Sequence, residues 1–174
     1  MHFTAEHDFA ASCAAVAAVL CDPDFQTQLA LPDLSLPTVV SHVDDGTTKE
    51  LTLRYEYTGQ LDPIARKVIA GRQLTWIQAL RLDTKTYQGT LTFSAEAAPD
   101  RLNGQAELAL VADGDADARC HRRISGDLHV KFPLIGGTAE RRIVPGLLIR
   151  LDVEAAALAS RLRPGADPEA RTAT

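Results

Sequence analysis

The sequence predicts an α+β fold: a curved antiparallel sheet of six to seven strands, two short helices after the first strand, and one long C-terminal helix. Two observations predict it. From residue 38 to 131 the apolar residues recur mostly with period two, and the runs are separated by short turn-rich connections, so neighbouring strands pair antiparallel. Beyond residue 140 the pattern changes to helical spacing and holds it to residue 162.

Each element has its own signal. "HFTAEHDF" alternates, with Phe3, Ala5, His7 and Phe9 on one side, and reads as the first strand. Ser12 is an N-cap for a short helix burying Val16, Val19 and Leu20. Asp22 caps a second helix with Pro23 in its first turn, where a missing N–H costs nothing, and Phe25 and Leu29 stand four apart on it. Pro32 and Pro37 end it and lead out in extended form. "TVVSHV" and "KELTLRYEYTG" form a hairpin about Asp45-Gly46, with Leu51, Leu53, Tyr55 and Tyr57 on one face. "QLTWIQALRLD", "YQGTLTFSAEA", "RLNGQAELALVA" and "RCHRRISGDLHVKF" continue the meander. A miniature helix interrupts it at residues 63–70, capped by Asp62, stopped by Gly71, and apolar along Ile64, Val68 and Ile69. It reads as a lid or a packing element. Gly136-Gly137 let the chain turn before the closing helix. There Ile143, Leu147, Leu151, Ala155, Leu158 and Leu162 form one seam, with Pro145-Gly146 expected to kink or split it. One domain is predicted over 1–163, with 164–174 as a flexible polar tail.

Composition narrows the function. Among 174 residues, 45% are hydrophobic and 24% charged, the profile of a globular protein. A net charge of −5 argues against a nucleic-acid partner, and no run of ~20 apolar residues forms an integral membrane segment. No signal peptide is visible, and three scattered cysteines (Cys13, Cys21, Cys120) fit reduced thiols in a cytoplasm. The histidines have no zinc-type spacing with cysteine, and His7-Asp8 reads as a solvated strand end, so neither metal nor cofactor is expected.

The wording of the chain carries a resemblance. "DPDF", "RYEYTGQL", "LTWIQ", "RRISGDLHVKFPLIGGTAERRIVPGLL" and "LDVEA" are similar to an uncharacterised bacterial domain-of-unknown-function family within the START-like (SRPBCC) helix-grip superfamily. The resemblance covers residues 2 to about 162 and implies the helix-grip fold, a sheet wrapped around its last helix. It implies no activity of its own beyond the superfamily's default of hydrophobic ligand binding.

Geometry gives an independent reason to expect a cavity. Seven strands at ~4.8 Å span roughly 30 Å, whereas one helix is about 10–12 Å wide. The sheet must curl to cover the helix, and small inward residues (Gly89, Ala95, Gly104, Ala106, Gly126) thin the packing there. The cavity-lining candidates are Tyr55, Tyr57, Trp76, Gln78, Phe93, Arg122, Leu147 and Leu151. Gln78, Arg122 and the tyrosine hydroxyls either orient a ligand or sit near strand ends, reaching water or pairing with acids.

Three functions fit this outline. The first is binding, transport or sensing of a hydrophobic small molecule, lipid-like or polycyclic. The second is a cyclase or dehydratase acting in the same cavity, which needs a positioned acid or base. Mid-strand inner positions carry no aspartate or glutamate, and His7 is the best base available. The third is a surface module for protein or membrane, using Arg141, Arg142, Arg150, Arg161 and Arg163. Glu140, Asp152 and Glu154 dilute that charge, and these arginines read as a solvated outer face.

Overall fold

In the computed structural model, which describes residues 1–163 apart from 62, 64, 65, 67, 68 and 115–117, the period-two segments are strands. They are β1 (His2–Phe9), β2 (Thr38–Asp44), β3 (Thr48–Glu56), β4 (Thr75–Asp83), β5 (Gln88–Ala95), β6 (Leu102–Ala112) and β7 (Cys120–Val130). The helices are α1 (Cys13–Leu20), α2 (Pro23–Gln28) and α3 (Gly136–Arg161). One sheet of seven strands runs β1-β7-β6-β5-β4-β3-β2, and every neighbouring pair in it is antiparallel. The α1–α2 segment carries the chain from one edge of the sheet to the other.

The expected caps are in place. Ser12 Oγ accepts from the Ala15 N–H at 3.1 Å, and Asp22 Oδ1 accepts from the Asp24 N–H at 2.9 Å. The hairpin turn has Gly46 at φ +83°, a left-handed conformation that favours glycine. The mini-helix assignment at Asp62, Ile64 and Val68 lies outside the described residues; Gly71, at φ +71°, donates its N–H to Arg66 O at 2.8 Å and stops that turn as predicted.

Two expectations about α3 are corrected. Of the kink or split expected at Pro145, the split is absent, since the helix is continuous from Gly136 to Arg161. The sharp turn before it is made by Leu134, at φ +66°, and not by the glycine pair, which already belongs to the helix. Gly136 is needed for closeness: a Cβ there would collide with the Val130 carbonyl.

The register explains how the inner face is filled. Leu51, Leu80, Leu91, Ala106, Gly126 and Phe3 lie in one row across the sheet. The next row is Leu53, Gln78, Phe93, Gly104 and Leu128. Small residues stand beside large ones, and the large ones lean over them. A Cβ on Gly104 would strike the Phe93 ring, and one on Gly126 would strike Ala106. The inner glycines are therefore points of close approach, not the vacancies that the sequence suggested.

Helix α3 lies over β1 and β7 and against α1. Leu151, Ala155 and Leu158 are buried there, with Leu158 wholly inaccessible. The cysteines are buried thiols, and the fold brings Cys13 and Cys120 to a sulfur–sulfur distance of 2.9 Å, a contact their separation in the chain does not announce. Burial pushes the Cys21 thiol up to about 12, so it is a poor nucleophile at neutral pH.

Two measurements test this packing. Leu158→Ala removes a fully buried side chain and should cost about 2–5 kcal/mol, read as a shift of the urea midpoint at unchanged slope. Glu140 Oε1 accepts the Val130 N–H at 2.9 Å, and that bond holds its carboxyl below the usual range. Its stabilisation is complete above the ordinary carboxylate pKa and disappears as pH falls through the lowered value. The difference in melting temperature between wild type and Glu140→Gln should be open at neutral pH and close in acid.

Candidate functional site

A cavity of about 300 Å³ lies between the first half of α3 and the concave face of β3, β4 and β5. Its origin is the placement of α3. The helix rests on β1 and β7, so the far strands curve over space that no second helix fills. Tyr55, Tyr57, Trp76, Gln78, Phe93, Leu147 and Leu151 all reach its wall, seven of the eight residues singled out from the sequence. Leu31, Leu34 and Ile69 close it from the loops.

The aromatic side is a built surface. Tyr55 and Trp76 pair directly across β3 and β4, and their rings stack with centroids 5.3 Å apart and planes 12° from parallel. The Arg150 guanidinium lies over Trp76 at 5.8 Å and over Tyr57 at 5.7 Å. Burial, with a smaller contribution from Glu154, raises the Tyr55 phenol above its ordinary pKa and keeps it neutral. Phe93 packs on Gly104 and continues the apolar wall toward Leu102 and Leu128.

Arg122 is the exception. It does not border this cavity but lies beneath it, wholly buried, beside a smaller void of about 30 Å³. Its Nη1 donates to Glu154 Oε2 at 2.7 Å, and its Nη2 reaches His7 Nδ1 at 3.1 Å and the Leu151 carbonyl at 3.3 Å. The guanidinium also stands 5.6 Å from the Phe9 ring. Gln26 Nε2 donates to the other Glu154 oxygen at 3.3 Å. These partners engage both terminal nitrogens of Arg122, while its buried Nε has none among the described residues; of the two sequence readings the acid pair is the one found.

His7 is likewise not a solvated strand end. It is nearly buried, and its Nε2 lies 3.0 Å from Asp152 Oδ1 on α3. Arginine can only donate, so Nδ1 accepts from Arg122 and Nε2 carries the proton toward Asp152. Asp8 pairs separately with His121, at 2.9 Å. Among the described residues no group of three or more His, Cys, Asp or Glu side chains is placed to hold a metal ion.

The sequence reading missed the polar part of the wall. Arg150 and Glu154, taken there for an outer face, point inward, and Asp33 joins them from the loop after α2. A signal was present. Ile143, Leu147, Arg150 and Glu154 repeat at four, three and four, which is one helical stripe. Gly146 also lies on the wall, and a Cβ there would meet nothing within 4 Å.

This sheet gripping one long helix over a cavity is the START-like, helix-grip fold. Within that class the chain belongs to the family described as "Protein of unknown function (DUF2505)", matched over residues 4–162. No curated protein is similar to it in sequence. Among solved structures it is similar to the Zhui aromatase/cyclase from Streptomyces sp. R1128, at 16% identity and TM-score 0.63, covering 95% of this chain and 98% of that one. A START superfamily protein from Mycobacterium smegmatis is similar at 18% identity and TM-score 0.57, over 92% and 95%. Norcoclaurine synthase from Thalictrum flavum is similar at 16% identity and TM-score 0.61, over 92% and 84%. At such identities the likeness shows the fold. No helix among the described residues is long and apolar enough to cross a membrane.

The buried pair can be tested by removing one partner and then both. Glu154→Gln leaves the Arg122 charge uncompensated and should cost about 3–5 kcal/mol. Arg122→Met combined with Glu154→Leu should recover most of that loss in urea melts, because no charge then remains in the dry interior.

Proposed function

We propose that the protein binds a hydrophobic small molecule, lipid-like or polycyclic, in the cavity under α3, as a carrier or sensor. The observation that carries this reading is the space itself, about 300 Å³ walled mainly by aromatic and aliphatic side chains. Protein interiors are close-packed, and small-molecule sites begin at about this size and are lined this way. The fold is compatible with such an occupant: a norcoclaurine synthase of similar structure has been solved with a transition-state analogue. Against catalysis stands the engagement of the Glu154 carboxylate on the wall by Arg122 and Gln26, which leaves Asp33 on the loop as the other carboxylate there.

Trp76 is the only tryptophan and stands on the cavity wall, so it reports occupancy. An apolar probe should change its emission saturably, with a dissociation constant on the order of micromolar. Gly146→Leu projects a side chain into open space and should abolish that change while the helix keeps or gains stability. Gly104→Leu, by contrast, collides with Phe93 and should destabilise the fold. A saturable response that Gly146→Leu leaves intact would place the probe elsewhere. Native mass spectrometry with extraction separates a carrier, which retains an unaltered apolar molecule, from an enzyme, which releases a changed one.

A further inference from the structure

The cavity wall is mainly apolar, with polar side chains at Asp33, Gln60, Gln78, Arg142, Arg150 and Glu154, and of these Arg150 has an unusual set of neighbours. Its guanidinium is held over the Trp76 and Tyr57 rings at 5.8 and 5.7 Å. Those contacts fix its position but satisfy none of its five N–H donors. It forms no hydrogen bond or ion pair with any described residue, although it is half-buried. Burial lowers its pKa from the ordinary value, with Tyr57 and Asp33 acting in the opposite direction, and an arginine remains charged in any such setting.

The carboxylates nearby do not supply the missing partner. Glu154 follows one turn later on the same stripe, but its two oxygens are engaged by Arg122 at 2.7 Å and Gln26 at 3.3 Å. Asp33, also on the wall, contributes an attraction at a distance and forms no ion pair with Arg150. A permanent cation is therefore stacked in place, half removed from water, with its donors facing the space a ligand would fill. A neutral hydrocarbon filling that space would strip the guanidinium of its remaining water and return nothing. An acid would return charge-assisted hydrogen bonds.

We infer that the cavity selects an amphipathic anion, with its apolar body along Trp76 and Phe93 and a carboxylate-type head group on Arg150. This rests on the proposal that the cavity binds an apolar molecule, and it adds the class of that molecule. Arg150 then sets specificity more than overall affinity, because the apolar walls contribute equally to an acid and to its neutral analogue.

The test compares decanoate, decanol and decylammonium, each below its micelle concentration, by isothermal calorimetry and Trp76 emission at neutral pH. Decanoate should bind at least about tenfold tighter than decanol, equivalent to about 1.4 kcal/mol, and decylammonium weaker than either. Arg150→Gln should bring decanoate down to the affinity of decanol while leaving decanol within about twofold of wild type, and Arg150→Lys should keep part of the preference. Equal binding of decanoate and decanol, tightest binding of decylammonium, or a preference that survives Arg150→Gln would each overturn the inference and leave the hydrophobic site standing. Binding of none of the three would remove the hydrophobic site and the inference together. If Arg150→Gln does not fold, the three wild-type affinities and the lysine variant decide the matter.

Discussion

The position of α3 depends on one buried ion pair. Arg122 lies in the cross-strand row of Leu110 and His7, deep on the concave face, where a lone guanidinium would be untenable. Only the helix can answer it, and it does so with Glu154 and the Leu151 carbonyl, while Asp152 takes the far side of His7. An aliphatic seam alone is tolerant of sliding and rotation along a sheet. A short charge-assisted contact is not, because a shift of one helical turn would leave both charges bare. Gln26 extends the same junction to α2, so three elements are located against one carboxylate.

The cavity follows from that placement. Anchored over β1 and β7, α3 presents Ala155 and Leu158 to solid packing, borders the cavity with Leu151, and leaves its earlier turns facing β3 to β5 across open space. The division of the seam is sharp. Leu158 is fully buried, whereas Ile143 and Leu147 are half-buried residues of the cavity wall. Gly146 enlarges the space on the helix side, and the stacked Tyr55–Trp76 pair makes the opposite wall rigid.

Proteins with this fold and little sequence in common include, by name, an aromatase/cyclase and norcoclaurine synthase. The scaffold they share is a way to enclose a volume, and the chemistry belongs to the side chains that line it. Here the polar content of the wall comes from Asp33, Gln60, Gln78, Arg142, Arg150 and Glu154, and Glu154 is already committed to the framework.

The sequence by itself determined the elements and most of the apolar wall. Strand alternation assigned Tyr55, Trp76, Gln78 and Phe93 to one face, because side chains of a strand alternate strictly with position. Capping residues set the starts of α1 and α2, because Ser12 and Asp22 act on N–H groups two or three residues away. What only the tertiary structure decided is what those faces meet. Alternation says that Arg122 points inward, but not that Glu154, 32 residues later, waits there. It says that Gly104 and Gly126 point inward, but not that Phe93 and Ala106 already fill the places beside them. The inward turn of Arg150 was written in the four-three-four spacing, yet its charge argued for solvent until the stacked rings of β3 and β4 supplied a surface for it. Local patterns fix direction through backbone geometry, whereas partners and empty volume arise from which distant elements pack together, and that is settled by the whole chain at once.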